Sequence, residues 1–193
     1  MFEIIKKYAE ENSVPIIREK SAEFLFQQVE SKKPKKILEI GTAIGYSGLL
    51  MLKACDGFLT TIEKDAERVK LAKENFSKYN FLQRVNIVCD DAQKVLEEYS
   101  TKGYKFDFIF LDGPKGQYIK YLPLIKLLLN QNGVLFVDNI YLHGLVKSIG
   151  PIAHKHRTMV VNLRKFLKTL QEDNDFSSNF YDIEDGIAIS VLK

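Results

Sequence analysis

The sequence predicts an α/β protein: a doubly wound sheet of mostly parallel strands with helices on both faces. Short apolar runs alternate with amphipathic helical stretches along the chain, a pattern typical of parallel sheets. Several of these runs end in an acidic residue, and the first is followed by a turn that contains two glycines. Open α/β sheets bind their ligands at such a turn, at the carboxyl end of a first strand.

The composition is that of an ordinary globular domain. The 193 residues are 46% hydrophobic and 27% charged, and the net charge of +3 neither requires nor excludes an anionic partner. We predict one domain, residues 1–193, with a helical cap at residues 1–35. The isolated Cys55 and Cys89 predict reduced, buried thiols. Because no signal-peptide core is present and no apolar run reaches the ~20 residues of a membrane span, we expect a cytoplasmic protein without a membrane partner.

Two helices are predicted before the first strand, at about 2–11 and 18–29, with Pro15 between them. The first strand, 37–40, leads into the glycine turn. Its spacing, Glu39-x-Gly41-x-x-x-Gly45, lacks the third glycine of the dinucleotide fingerprint and the lysine of the phosphate-binding loop. A carboxylate at this turn repels anions and favours an ammonium group. Glycine allows a close backbone approach, so the turn predicts a ligand site, with an ordinary loop as the alternative.

The next elements place two more acids at strand ends. After a helix at 46–53, the strand 58–63 ends in Glu63, where an acid can accept hydrogen bonds from two ribose hydroxyls. The alternative is a surface acid that opens the helix at 65–79. The third strand, 85–89, is followed by Asp91 and Gln93, either of which contacts an adenine amine or belongs to the cap of the next helix.

Strands four and five, 106–112 and 133–139, bring oxygen ligands to one edge of the sheet. Strand four ends in Asp112, and strand five ends in Asp138 and Asn139. Two carboxylates and an amide are hard ligands that suit Mg²⁺. The alternative is that each acid caps the loop after it.

These motifs resemble a known family. The Glu39-to-Gly45 motif resembles motif I of the class I methyltransferases, which bind S-adenosylmethionine. Asp112-Gly113-Pro114-Lys115, followed by Asp138-Asn139, is similar to the metal-dependent O-methyltransferases of the catechol and caffeoyl-CoA type. The resemblance covers about residues 36–139. It implies a Rossmann-like sheet of seven strands with the last one antiparallel, S-adenosylmethionine and Mg²⁺ or another divalent cation as cofactors, and a homodimer.

The same resemblance implies roles for individual residues. Asp112, Asp138 and Asn139 hold the cation, and Lys115 is the catalytic base. A cation beside Lys115 would lower its pKa from about 10.4 towards the range of a general base. The alternative is a surface lysine before the helix at 117–129. The cofactor-binding set is Glu39, Gly41, Thr42, Gly45, Tyr46, Ser47, Glu63, Asp91, Ala92 and Asp112.

The last third of the chain favours a particular acceptor. A helix from His154 to about Leu170 has one basic face, formed by Arg157, Arg164, Lys165 and Lys168. This face either is simply solvated or binds an RNA backbone. His154 and His156 are too few for a zinc site. Two strands, 179–182 and 186–192, close the sheet, the second in a central position.

The arrangement His-Arg-Thr…Asn-Leu-Arg, followed by Asp185-Gly186-Ile187-Ala188, resembles the bacterial branch that methylates 5-hydroxyuridine at the wobble position of tRNA. The function that the resemblance implies is O-methylation of a hydroxyl with an adjacent oxygen, with 5-hydroxyuridine in tRNA favoured. Small catechol-like phenols are the alternative acceptors, and a non-catalytic nucleotide-binding module is the alternative class. Arg157, Arg164 and Tyr118 are predicted substrate contacts.

Overall fold

The computed structural model describes residues 2–193, and its sheet has seven strands with helices on both faces. The strand order is β3-β2-β1-β4-β5-β7-β6. The strands are β1 (Lys36–Ile40), β2 (Phe58–Glu63), β3 (Val85–Cys89), β4 (Phe106–Leu111), β5 (Leu129–Asp138), β6 (Phe176–Tyr181) and β7 (Ile187–Leu192). The predicted fold class is confirmed. The last strand is central and antiparallel to both of its neighbours, as expected.

The helices are α1 (Glu3–Glu11), α2 (Glu19–Lys32), α3 (Tyr46–Ala54), α4 (Ala66–Lys78), α5 (Ala92–Thr101), α6 (Tyr118–Leu128) and α7 (His154–Glu172). Among residues 2–193, no helix combines the length and the apolar character that crossing a membrane requires. The chain divides into two compact units, one ending at Val95 and the other starting at Leu96. The single domain therefore stays a prediction, and Met1 of the predicted cap lies outside the described residues.

In the first unit, β2 pairs in parallel with both β1 and β3. Helix α2 buries Ala22, Leu25 and Val29 and packs against α3. Helix α4 begins after Asp65, whose side chain accepts hydrogen bonds from the amides of Glu67 and Arg68. The predicted boundaries of these elements differ from the observed ones by a few residues at most.

In the second unit, β4 pairs in parallel with β5, and β5 pairs antiparallel with β7. Helix α7 packs against α6 through a buried stripe that contains Leu163 and Phe166. The parallel pairing brings the carboxyl ends of β4 and β5 to the same edge. This is the edge at which the sequence predicted the metal ligands.

Two expectations need correction. Strand β5 begins at Leu129, before the predicted position 133, because Leu129 pairs with Phe106 and the register then shifts at an irregularity. At Gly133 a Cβ atom would lie 2.7 Å from the carbonyl oxygen of Asn130, so this tight passage depends on glycine. The two cysteines are free, but they are not buried: Cys55 is half-buried and Cys89 is exposed.

Candidate functional site

The turn after β1 has the backbone conformation that its glycines suggest. Gly41 and Gly45 have φ values of 104° and 85°, in the region that favours glycine. The amides of Gly41 and Thr42 both donate to the carbonyl oxygen of Ile62, at 3.0 and 3.2 Å. At Gly45 a Cβ atom would lie 3.1 Å from the ring of Phe76. The turn is therefore held close to β2 and α4.

Glu39 is fully buried and lies at the centre of a hydrogen-bonded network. Its Oε1 accepts from Ser47 Oγ and its Oε2 from Thr61 Oγ1, both at 2.5 Å. The hydroxyls of Thr42 and Thr61 are also 2.5 Å apart. Glu39, Thr42 and Ser47, three members of the predicted cofactor set, are thus brought together by the fold. Glu39 links β1, β2 and the start of α3, and its contact with an ammonium group stays a prediction.

Glu63, at the end of β2, is fixed by backbone amides. Its Oε2 accepts from the amide of Ala43 at 3.0 Å, and its Oε1 accepts from the amides of Lys64 and Asp65 at 2.9 and 3.1 Å. The carboxylate therefore joins the glycine turn to the end of the neighbouring strand. Its predicted contact with a ribose stays a prediction.

Asp91 caps helix α5, which is one of the two roles that the sequence predicted for it. Its Oδ1 accepts from the amides of Gln93 at 2.9 Å and Lys94 at 3.4 Å. Ala92 is the first residue of the helix. The contact of Asp91 with an adenine amine stays a prediction.

Tyr46, the first residue of α3, lines a cleft of about 670 Å³ within the first unit. The other lining residues come from α1 and the segment that follows it: Lys6, Ala9, Glu10 and residues 13–19. Burial raises the pKa of Tyr46, which keeps its phenol protonated at neutral pH. The cleft gives this unit an opening beside the glycine turn.

In the second unit, Lys115 and Asp112 form a close ion pair. Lys115 Nζ donates to Asp112 Oδ1 at 2.9 Å, and their side chains are 17% and 23% exposed. Lys115 lies on a single-turn 3₁₀ helix before α6. Helix α7 holds this turn, because Asn162 Nδ2 donates to the carbonyl oxygen of Gly116 at 2.9 Å.

Asp138, the last residue of β5, is fully buried, and Asn139 follows it in the left-handed conformation with φ of 55°. Burial alone would lower the pKa of Lys115, but the charges that face it raise that pKa well above its ordinary value. These charges come from Tyr118, Asp112 and Asp138. Burial also raises the pKa of Tyr118, so at neutral pH the two carboxylates carry the effect. The predicted fall in the pKa of Lys115 assumed a divalent cation, and the protein's own charges have the opposite effect.

Within residues 2–193, no group of three or more His, Cys, Asp or Glu side chains is placed to hold a metal ion. The predicted ligand set contains only two such side chains, because its third member is the amide of Asn139.

Two residues that were predicted as substrate contacts bind the protein's own backbone, and their contacts with a substrate stay predictions. Tyr118 is fully buried, and its hydroxyl donates to the carbonyl oxygens of Leu111 and Gly113, so it belongs to the core beneath the Lys115 turn. Arg164 donates to the backbone carbonyls of the loop after β5, so its guanidinium is already engaged. Arg157 is exposed, and its substrate contact stays a prediction.

The structure also shows contacts of two residues to which the sequence assigns no role in the site. Asp185 accepts a hydrogen bond from the amide of His143 in the loop after β5, and Asn162 holds the Lys115 turn. The Asp-Gly pair before β7 was a signal for Asp185. Asn162 belongs to the Asn-Leu-Arg arrangement that resembles the tRNA-methylating branch, but that resemblance assigns it no role.

The chain is similar to known proteins over almost its whole length. The model of a family described as O-methyltransferase matches residues 3–193. A solved Staphylococcus aureus structure, provisionally named a caffeoyl-CoA O-methyltransferase, is 33% identical, with a TM-score of 0.91 over 99% of this chain and 91% of that one. An O-methyltransferase from Bacillus cereus, solved in complex with SAH, is 23% identical with a TM-score of 0.88 over 99% of this chain and 90% of that one. At that identity, the likeness shows the fold alone.

A curated relative, the O-methyltransferase ankF of Aspergillus thermomutatus, is 33% identical over 120 residues, which are 60% of this chain and 49% of that protein. The chain thus spans about half the length of that relative. The family model, by contrast, covers almost every residue, and this match favours the enzyme over the non-catalytic module. The chain belongs to the O-methyltransferase family and is an S-adenosylmethionine-dependent O-methyltransferase.

Proposed function

We propose that this enzyme methylates a hydroxyl that has a second oxygen beside it, with the help of a divalent cation such as Mg²⁺, and that the acceptor is 5-hydroxyuridine in tRNA. The observation that carries the proposal is the group formed by Asp112, Lys115 and Asp138 at the ends of two neighbouring strands. The two carboxylates are candidate ligands for a cation, and the amine beside them is a candidate base.

The first unit supplies the residues that would bind S-adenosylmethionine. The buried charge of Glu39 beneath the glycine turn favours the positive groups of this cofactor. A carboxylate offers about four acceptor positions, so Glu63 keeps room for a further donor beyond its three backbone amides. Asp91 caps α5 through Oδ1, which leaves Oδ2 for an adenine amine.

Asp112, Asp138 and Asn139 fit a cation that prefers oxygen ligands. A buried carboxylate such as Asp138 is costly unless positive charge lies beside it, and Lys115 offers one positive charge to two carboxylates. A divalent cation would complete this balance. When bound, it supplies Lewis acidity, which lowers the pKa of the acceptor hydroxyl.

Lys115 is the proposed base. The carboxylates favour its ammonium form, whereas burial and any positive charge added beside it would lower its pKa. In its neutral form, Nζ of Lys115 would take the proton of the acceptor hydroxyl. The bond between the acceptor oxygen and the methyl carbon forms as the bond between that carbon and sulfur breaks. Asp112 holds the amine in place through their direct hydrogen bond.

Helix α7 supports tRNA as the source of the acceptor. Arg157, Lys165 and Lys168 are exposed, and Lys168 pairs only loosely with Glu172 at 3.8 Å. Exposed cations along one helix suit a phosphate backbone. In 5-hydroxyuridine, the hydroxyl and the neighbouring carbonyl supply the two adjacent oxygens. By the same resemblance, we propose a cytoplasmic homodimer, which cell fractionation and sedimentation velocity would test.

The second candidate acceptor is a small catechol-like phenol, which also offers two adjacent oxygens. The specific observation in its favour is the 33% identity to the Staphylococcus aureus protein provisionally named a caffeoyl-CoA O-methyltransferase.

The test is methyl transfer from labelled S-adenosylmethionine to total tRNA and to a catechol panel, each with Mg²⁺ or with EDTA. We expect label in tRNA only when Mg²⁺ is present. The matched control is tRNA from cells that do not make 5-hydroxyuridine, which should stay unlabelled. Label in catechols alone would refute the tRNA assignment, and equal transfer in EDTA would refute the metal requirement.

A further inference from the structure

The loop that follows β5, residues 140–148, starts directly after the proposed metal ligand Asn139. Asn139, Leu142 and His143 have φ values of 55°, 49° and 54°. Residues other than glycine rarely adopt this left-handed conformation, and it persists only where the surrounding structure imposes it. The contacts of the 140–148 loop therefore hold the backbone next to Asn139 in place.

One side of the loop is held by the turn before β7. The amide of Ile140 donates to the carbonyl oxygen of Gly186 at 3.1 Å, and the amide of Tyr141 donates to that of Asp185 at 2.9 Å. The buried side chain of Asp185 adds a third bond, because its Oδ1 accepts from the amide of His143 at 2.6 Å. These bonds begin one residue after Asn139.

The ring of Tyr141 tightens this attachment. It lies so close to Gly186 that a Cβ atom there would be 2.2 Å from the ring. Lys147 Nζ lies 3.7 Å from the centroid of the same ring, and it also forms an ion pair with Asp182. The loop is thus fastened by backbone and side chain to the segment that precedes β7.

Helix α7 holds the other side of the loop through Arg164. Its Nε donates to the carbonyl oxygen of Val146 at 3.0 Å, and its Nη2 donates to those of Leu145 and Ser148. The planar fork of a guanidinium can bind several carbonyl oxygens at once, which a lysine ammonium does less well. The same helix holds the Lys115 turn through Asn162.

We propose that Arg164 and Asp185 are positioning residues that clamp the 140–148 loop from two sides and thereby orient Asn139 in the metal site. This inference rests on the proposed function, because the clamp can serve metal binding only if Asn139 binds the cation. It also gives Arg164 a role different from that of the exposed cations on the basic face of α7, to which its helical spacing assigns it.

The test compares wild type with Arg164→Ala, Arg164→Lys and the control Lys155→Ala, an exposed residue on the same helix. Calorimetry measures the affinities for Mg²⁺ and for S-adenosylhomocysteine, and hydrogen exchange follows the amides of residues 140–148. Mutation of residues that orient metal ligands typically lowers metal affinity by at least roughly tenfold. We expect a loss of this size in the Mg²⁺ affinity of Arg164→Ala, whereas its affinity for S-adenosylhomocysteine should not change. Loop exchange should rise roughly fivefold, as expected for the loss of about one hydrogen bond.

Arg164→Lys should recover part of both losses, and Lys155→Ala should match wild type. Asp185→Asn, which keeps an acceptor oxygen, should stay close to wild type, whereas Asp185→Ala should match Arg164→Ala. Unchanged loop exchange or unchanged Mg²⁺ affinity in Arg164→Ala would overturn the inference. If wild type itself bound no Mg²⁺, the proposed metal site would fail, and with it the purpose of the clamp. In that case, faster loop exchange in Arg164→Ala would still show that the failure lies in the proposed function and not in the contacts.

Discussion

Two carboxylates, Glu39 and Asp138, are fully buried, and the protein surrounds them in different ways. Glu39 accepts hydrogen bonds from two hydroxyls and ties β1 to β2 and α3. Asp138 lies at a strand end, where its charge acts on the amine of Lys115. The first arrangement holds its carboxylate in place beneath the glycine turn, and the second is typical of a group that takes part in binding or catalysis.

Glu39→Ala should lower the free energy of unfolding by about 2–4 kcal/mol, because it leaves two buried hydroxyl donors without their acceptor. Urea denaturation measures this change. Glu74→Ala removes an exposed acid of the same unit and should stay within about 0.5 kcal/mol of wild type. Equal stability of the two variants would show that the network contributes little.

Lys115→Ala should reduce turnover by roughly 10²–10⁴-fold, the range for loss of a general base, while S-adenosylmethionine binding is kept. Steady-state rates and calorimetry measure the two effects separately. Lys120→Ala, which removes an exposed lysine from α6, is the matched control. A full rate for Lys115→Ala near neutral pH would rule out its role as base.

At the scale of elements, the attachment of loops to helices and strands determines the site. Gly186 and Gly144 both have positive φ, 83° and 79°, but only Gly186 is crowded. A Cβ atom at Gly186 would overlap the Tyr141 ring, whereas at Gly144 it would meet nothing within 4 Å. The two positions therefore separate backbone strain from steric overlap.

Gly144→Ala should cost about 1–2 kcal/mol, the cost of a left-handed residue with a Cβ atom. Gly186→Ala should cost more, roughly 3 kcal/mol or above, because strain and overlap add. Thermal or urea denaturation of both variants measures the difference. If both substitutions cost the same, the packing of Tyr141 on Gly186 would be looser than the structure indicates.

The ion pair between α6 and the segment after α7 gives a pH dependence. Burial opposes the charge of Asp173, but hydrogen bonds from Lys126 and from the amide of Asp175 hold its pKa below the ordinary 3.8. Because the pKa is lower in the folded state than in the unfolded one, this carboxylate stabilises the fold above about pH 4. The contribution is lost as the pH falls through the folded-state pKa.

We therefore expect Asp173→Asn to lower stability by about 1 kcal/mol at pH 6, a modest value because the pair is partly exposed to solvent. The difference from wild type should shrink as the pH falls below 4. Urea denaturation at both pH values measures it. A difference that grew towards low pH would mean that the pKa is raised rather than lowered.

Across the whole molecule, the sequence was sufficient for the features that depend on local pattern. Apolar runs predicted the strands, and the acids that follow these runs predicted Glu63, Asp112 and Asp138 at strand ends. For Asp112 and Asp138, the parallel pairing of β4 with β5 confirms that the two strand ends lie at the same edge. The features that it did not reveal depend on contacts between distant segments. Arg164 looked like part of a basic face because helical spacing cannot show that a loop 16–19 residues earlier lies within reach of its guanidinium.

The Lys115 turn shows the same limit. Its attachment to α7 joins Gly116 to Asn162, 46 positions apart, and no local pattern predicts that these two residues meet. The early start of β5 was missed for a related reason, since the pairing of Leu129 with Phe106, and not an apolar run, defines it.

The central claim is that the ends of β4 and β5 together hold a divalent cation beside Lys115. A crystal grown with S-adenosylhomocysteine and Mn²⁺, whose anomalous scattering marks its position, tests this claim most directly. We predict one anomalous peak within coordination distance of Asp112, Asp138 and Asn139, absent in Asp138→Ala. Clear density for the cofactor without any such peak would contradict the claim.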